Sequence, residues 1–508
     1  MSDKLSTIVL NDADNVGVSL IDIRAGQTLN TGDLMAVQDI PAGHKFALRR
    51  IETGHPFIKY GQVIGFATGV VAPGEHVHDH NLGMKDFDRD YAIGADVVET
   101  KLIPESRQAT FQGYVRDDGR VGTRNYVGVL PTVNCSASVA RFIADTVNRE
   151  LLDQFPQVDG VVALSHGSGC CLTPGGEGLL YLRRALAGYA RNPNFGAVLL
   201  VGLGCEVNLV DTLMDSMQMT LGPRLRALNI QSVGGTRATI AAGVDAFAGM
   251  LPEVNAARRQ PVSAEHLVVG LECGGSDAYS GITANPALGV AVDHLVRQGG
   301  TAILSETPEI YGAEHLLTRR AATPQVAEKL IDRIHWWEDY TARMGGEINN
   351  NPTPGNKAGG LTSILEKSLG AVAKAGTTDL MAVYGYADPV TTRGMVFMDT
   401  PGYDIASITG MVAGGANMIC FTTGRGTVCG FKPVPALKLA SNSRMYNRMS
   451  EDMDVNCGRI LDGDKSLTEM GADIFHLILE TASGKKTASE LLGFGDMEFV
   501  PWHIGAVM

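Results

Sequence analysis

Two patterns of apolar and polar positions divide the chain. From residue 1 to about residue 85, short apolar runs ("STIVL", "NVGVSLIDI", "LMAVQDI", "KFALRRI", "VIGFATGVV") alternate with Gly- and Pro-containing turns ("AGQT", "PAGHK", "ETGHP", "APGEH"). Runs of that length between such breakers predict strands, and no long helical period interrupts them. From Gly113 onward, strand-like runs alternate with helical ones. "NYVGVLPT" precedes "ASVARFIADTVNRELLDQF", "GVVALSHG" precedes "EGLLYLRRALAGYAR", and "GAVLLVGLG" precedes "LVDTLMDSMQMT". Repetition of strand and helix builds a mostly parallel sheet covered by helices. The alternation resumes with "HLVVGLE", "TAILSE", "LMAVYG" and "NMICFTTG", and ends in a helix at "ADIFHLILETASG". The polar, Pro-flanked "LPEVNAARRQPVSAE" marks a boundary near 258, and the charged, aperiodic stretch over 91–112 reads as a linker. The expected organisation is a small β domain over 1–90, that linker, an α/β domain over 113–258 and a second α/β domain over 259–508.

Charge narrows the function. Lys+Arg 42 against Asp+Glu 55 gives a net charge of −13, which repels nucleic acid and anionic membrane on average. No stretch approaches the roughly 18 apolar residues that cross a bilayer, and the first fifteen residues are broken by charge, so a cytoplasmic protein is expected. Eight cysteines in 508 residues do not make a disulfide framework, so reduced thiols are expected.

Four of those cysteines share one placement. Cys135 closes "YVGVLPTVNC", Cys170 closes "VVALSHGSGC", Cys205 closes "VLLVGLGC" and Cys273 closes "LVVGLEC". Each lies in the loop leaving the carboxyl end of a predicted strand. In open α/β sheets those loops collect at one edge, where ligands bind, so the four sulfurs are expected in one crevice. Cys171, Cys420, Cys429 and Cys457 lack the pattern and read as structural. Acids, bases and hydroxyls accompany the four: His166, Glu206, Glu272, Ser276, Asp277, Glu306 and Glu309. Glu206 and Asp277 read equally well as helix N-caps.

Three further stretches carry chemistry. "GEHVHDHN" sets His76, His78 and His80 at every second position, on one face if the chain is extended; they are metal ligands or a solvated turn. "NPTPGNKAGG" offers Asn356 and Lys357, and "FTTGRGT" sets Arg425 between glycines, a clamp for a carboxylate. Neither loop matches G-x-x-x-x-G-K-[ST], so no nucleotide site is expected. Imidazole suits iron(II), whereas several thiolates favour zinc or an iron–sulfur cluster.

Together "GYVRDDGRVGTRNYVGVLPTVNC", "NPNFGAVLLVGLGCE", "GLECGGSDAYSGITANPALG", "NPTPGNKAGG" and "FTTGRGT" resemble the altronate/galactarate dehydratase family over nearly the whole chain. The amino-terminal module, with "GHKFALRRI", "KYGQVIGFA" and "GEHVHDHN", is similar to that family's SAF-type β-clip domain, and the histidine stretch is closer to the altronate branch. "SHGSGCC" departs from the aromatic-containing version usual in that loop.

The resemblance implies a hydro-lyase that removes a C2 proton and a C3 hydroxide from a small hydroxy acid, giving a 2-keto-3-deoxy acid with iron(II). It implies His76, His78, Cys135, Cys170, Cys205, Glu206 and Cys273 as metal ligands, or an iron–sulfur cluster on Cys135, Cys170, Cys205 and Cys273. His166, Glu306, Lys357 and Asp277 take the catalytic positions; Arg124, Asn125, Ser276, Asn356, Lys357 and Arg425 those that hold the substrate. A homo-oligomer is expected. The alternatives are a galactarate-type aldarate dehydratase, a sulfolactate sulfo-lyase and a non-catalytic sugar-acid sensor, the last disfavoured because the sequence holds no helix-turn-helix candidate and no basic patch.

Overall fold

The computed structural model describes residues 6–31, 34–85 and 89–507. Residues 1–5, 32–33 and 86–88 of the predicted β domain lie outside the described residues. The domain folds as two small antiparallel sheets. One orders Thr7–Ile8, Val16–Ser19, Lys45–Ala47 and His76–Val77; the other orders Pro56–Lys59, Gln62–Ala67 and Leu82–Gly83. "LMAVQDI" is not a strand: Ala36 and Ile40 fill a core with Ile23, Leu29 and Phe46, while the backbone pairs only at isolated bridges.

The stretch after residue 89 crosses the carboxyl-terminal domain before it reaches the second one. Asp96 N–H donates to Arg319 O (2.7 Å) and Ile103 N–H to Arg297 O (2.7 Å). The chain then forms Thr110–Val115, which pairs antiparallel with Gln260–Ser263.

The second domain holds a four-stranded parallel sheet in the order Gly160–Ala163, Tyr126–Pro131, Phe195–Gly202, Leu225–Asn229. Helices Asn134–Glu150 and Thr236–Ala256 bury Ile143, Phe247 and Leu251 against one face. The second of these runs through Pro252, inside the stretch that reads as a boundary. Leu251 and Val254 are buried there, and that packing prevails over the proline. Helix Glu177–Arg191 covers the other face and packs on helix Asp404–Ala413 of the next domain. A Cβ at Gly188 would stand 2.2 Å from Ala413 O, so only glycine allows the approach.

The carboxyl-terminal domain is built on seven parallel strands in the order Leu380–Tyr384, Gly394–Met398, Thr301–Leu304, Val268–Cys273, Met418–Thr423, Ala436–Ala440, Val455–Asn456. The fold is thus α/β, with a small β domain ahead of two parallel sheets. No described helix is long and apolar enough to cross a membrane.

The β domain is fastened to this sheet by charge. Lys45 and Lys59, on adjacent sheets of the small domain, both reach Glu366 of helix Ile364–Val372 at 2.8 Å, and all three side chains are fully buried.

Candidate active site

Strand Val268–Cys273 ends at a buried thiol between two carboxylates. Cys273 Sγ lies 3.4 Å from Glu306 Oε2 and 3.2 Å from Glu309 Oε2, and its backbone N–H donates to Glu306 Oε2 (3.1 Å). Glu306 follows strand Thr301–Leu304 in the left-handed conformation, φ 67°, a strain that costs a non-glycine residue about 1–3 kcal/mol. Two ammoniums close the group, Lys374 on Glu306 (2.9 Å) and Lys367 on Glu309 (2.6 Å). Glu272 accepts Ser407 Oγ–H at 2.8 Å, and Asp404 opens helix Asp404–Ala413 beside them.

The environment sorts these acids. Burial opposes the charge of Glu306, but Lys374 outweighs it and holds the carboxyl below its ordinary value. Burial and the Glu306 charge push Glu272 well up, and burial with Glu306 and Glu309 raises Asp404 to about 7. Burial also pushes the Cys273 thiol well up. Such divergence within one cluster of buried acids marks it as a candidate site.

A cation fits here. Cys273, Glu306 and Glu309, and likewise Glu272, Glu306 and Asp404, bring donor atoms within 4.8 Å of one another; among the described residues no other group of three His, Cys, Asp or Glu does so. Glu272 Oε1 and Glu306 Oε1 are buried without a hydrogen-bond partner. Fully ionised, the four carboxylates exceed the two ammoniums by two charges, which a dication would balance. A thiol among carboxylates suits a first-row transition ion better than calcium.

A polar rim stands above this floor. Asn356 Nδ2 donates to Ser276 O (2.7 Å), and Ala278 N–H donates to Gly359 O (2.9 Å), so "NPTPGNKAGG" lies along the loop leaving Cys273. Arg425 N–H joins the same loop at Gly275 O (2.9 Å). The histidines lie on the far side of Lys357. His78 Nε2 is 2.9 Å from Lys357 O, and Lys357 Nζ pairs with Asp79 at 3.0 Å. Only His76 is extended, and the chain turns at His78, yet the rings of His76, His78 and His80 do gather. They are joined by His44, whose Nδ1 is 3.0 Å from His76 Nε2. Burial lowers His44 to about 4 and His76 to about 3, so both are neutral imidazoles at neutral pH.

The chain matches known proteins along most of its length. Residues 5–85 match the Altronate/galactarate dehydratase SAF domain, 113–255 match the D-galactarate dehydratase/Altronate hydrolase second domain, and 264–507 match the D-galactarate/Altronate dehydratase C-terminal domain. The chain is 35% identical to an altronate dehydratase of Bacillus subtilis over 97% of its own length and 98% of that protein. It is 35% identical to the L-threo-forming galactarate dehydratase of Escherichia coli over 94% and 93%. It is also 34% identical to the (2R)-sulfolactate sulfo-lyase beta subunit of Chromohalobacter salexigens, over 77% of this chain and 96% of that one. The chain belongs to the altronate/galactarate dehydratase family. It is therefore a hydro-lyase by class.

Several of the family's motif positions stand away from the floor. Arg124 and Asn125 precede the amino end of strand Tyr126–Pro131, at the edge opposite the ligand-binding one. Arg124 is buried and spends its guanidinium on Glu490 and on the carbonyls of Thr123, Thr481 and Lys485, while Asn125 bonds Arg116, Gln157 and Val254. Neither has a free donor for substrate. Arg124→Lys is expected to lose the two-pronged grip on Glu490 and about 1.5–3 kcal/mol of stability, measured by urea unfolding, with KM unchanged.

His166 is not a free base either. Its Nε2 meets Pro131 O (2.8 Å), its Nδ1 accepts from Ser168 N–H (3.2 Å), and burial lowers it to about 4. Asp277 accepts five hydrogen bonds, from the N–H groups of Tyr279 and Ser280, the hydroxyls of Ser280 and Ser441, and Asn442. It holds its loop, as does Asn356, whose Oδ1 caps Thr353. Glu206 caps no helix: it gathers the N–H groups of Leu203, Gly204 and Cys205 and the Thr132 hydroxyl.

The four strand-end sulfurs fall on two different sheets. Cys273 is buried in one sheet's site, whereas Cys135, Cys170 and Cys205 are exposed at the edge of the other sheet. Nor do His76 and His78 share a tight donor set with a strand-end residue. Lys367, Lys374, Asp404 and His44 escaped the sequence reading, since none sits in a motif with recognisable spacing.

Proposed function

We propose that this chain dehydrates a sugar acid of the altronate type to a 2-keto-3-deoxy acid, using iron(II), in the cytoplasm and as a homo-oligomer. The observation that carries the reading is the strained, buried Cys273–Glu306–Glu309 group with its two lysines. Cys273, Glu306 and Glu309 would hold the ion. When bound it would polarise the substrate's oxygens and ease the departure of hydroxide.

The chain's own groups supply the rest. Arg425 and Lys357 at the rim orient the substrate carboxylate, with Ser276 on the loop that both of their segments contact. Lys367 and Lys374 remain protonated against burial because Glu309, Cys273 and Glu306 surround them. They offset negative charge as it develops after loss of the C2 proton. Asp404 is the only half-exposed carboxylate of the group, so we assign it the C2 proton. The neutral imidazoles of His44 and His76 cover the rim from the β domain and limit water.

A panel of C4 to C6 aldonates and aldarates, assayed for 2-keto-3-deoxy product with Fe(II) under nitrogen, tests the assignment. Turnover of altronate is expected. Sulfite release from sulfolactate would move the reading to a sulfo-lyase, and tight binding without product would make the chain a sensor. Asp404→Asn is expected to lower kcat by about 100-fold without changing the bound metal. Replacing His76 and His78 together by alanine is expected to lower kcat about tenfold while Tm holds, because the rim alone is breached.

A further inference from the structure

Three loops meet at the carboxyl edge of the four-stranded sheet; two carry one exposed cysteine each, Cys135 and Cys205, and the third carries Cys170 and Cys171, whose sulfurs lie 3.7 Å apart. Asn134 N–H donates to Ser168 O (2.9 Å) and its Nδ2 to His166 O (2.8 Å), which ties the loop of Cys135 to that of Cys170. Asn208 N–H donates to Gly169 O (3.2 Å) and its Nδ2 to Thr132 O (3.0 Å), which ties the loop of Cys205 to both others. Each knot lies within three residues of a cysteine. Gly169, φ 111°, permits it, since a Cβ there would stand 2.4 Å from Thr132 O.

The thiols themselves need an explanation. Free cysteine is among the most buried residue types, and Cys273, Cys420 and Cys457 obey that rule. Cys135, Cys170, Cys171 and Cys205 do not, and among the described residues no hydrogen bond reaches the sulfur of Cys135 or Cys205. Cys135 lies in the first turn of the 17-residue helix Asn134–Glu150, whose cap residue Val133 offers no side-chain acceptor and whose first turn holds no acid. Its N–H groups therefore favour an anionic group over them. The three sulfurs are not within the tight range of ligands to one ion. A four-iron cube is wider than a single ion and holds its thiolates farther apart.

We infer that Cys135, Cys170 and Cys205 ligate an iron–sulfur cluster of the four-iron type, at the edge of the second domain and without Cys273. Three thiolates leave one iron without a protein sulfur, open to an oxygen ligand. The site is independent of the hydro-lyase reading, which rests on the other sheet.

The full-length chain, reconstituted with ferric and ferrous iron in equal amounts and sulfide under nitrogen, tests it. About four acid-labile sulfides per chain are expected, with about four irons beyond any held by the Cys273–Glu306–Glu309 group, and a broad visible absorption that dithionite bleaches. Cys135→Ser, Cys170→Ser and Cys205→Ser are each expected to lower bound sulfide at least threefold, and Cys273→Ser to leave it unchanged. Thermal melts of the apo variants separate cluster loss from unfolding, and the exposed positions make unfolding an unexpected result. Iron without sulfide, zinc in place of iron, or sulfide that survives all three replacements overturns the inference. Loss of the cluster in Cys273→Ser overturns it as well.

Discussion

Glu306→Gln is expected to lower kcat by about 100 to 10,000-fold, the largest loss from any single change in this chain. Glu306 belongs to both donor groups, accepts the Cys273 N–H, and carries the Lys374 ion pair. The amide keeps the shape but removes the charge, so a bound cation would lose the ligand common to both donor groups, and Lys374 is left buried without its ion-pair partner. Turnover by 2-keto-3-deoxy acid formation and metal content by emission spectrometry are the two readouts. A variant that keeps its metal and turns over at the parent rate would remove the site from this sheet edge. Glu309→Gln is the useful comparison, because it spares the strained backbone and the Lys374 pair.

Glu366→Gln is expected to have the largest effect on stability. Removing one partner of a buried ion pair leaves an uncompensated charge and costs about 3–5 kcal/mol, and here two ammoniums lose their common carboxylate. The lost attachment is that of the β domain, so limited proteolysis should cut within residues 6–85 before the rest unfolds. Acid should act in the same direction. Burial opposes the Glu366 charge, but Lys45 and Lys59 prevail and hold it at about 2, below its ordinary 4.5. A depressed carboxyl stabilises fully above its ordinary value and loses that contribution as pH falls toward its folded one. His44 and His76, lowered from 6.5 by burial, add an earlier stage, because the unfolded chain takes up their protons first as pH falls below 6.5. Hydrogen exchange across an acid titration should show the β domain loosening from about pH 6 downward, before either parallel sheet. Uniform protection of all three domains down to pH 4.5 would contradict this.

The sheets were legible because their strands are buried on both faces and read as continuous apolar runs between glycines. "GAVLLVGLG" and "NMICFTTG" correspond to Phe195–Gly202 and Met418–Thr423. Helix Glu177–Arg191 was legible for the opposite reason, a clean apolar stripe along one side. Helix Ile364–Val372 was not, since all nine of its residues are buried and no stripe exists to find. That helix holds both Glu366 and Lys367, so the docking triad and one lysine of the candidate site were hidden together. Strand-end position identified Cys273 and Glu306 but treated four cysteines alike, because a loop at a strand's carboxyl end is visible in sequence whereas the sheet to which the strand belongs is not.

The antiparallel pair of Thr110–Val115 and Gln260–Ser263 has a topological consequence. The chain leaves for the second domain and comes back from it along neighbouring strands, so everything between Val115 and Gln260 is a loop insertion whose two ends already touch. Deleting it and splicing the ends with a short turn would leave the seven strands with their connectivity intact. What such a graft would expose is the buried flank of helix Asp404–Ala413, and that flank, rather than the splice, decides whether the truncated protein stays in solution.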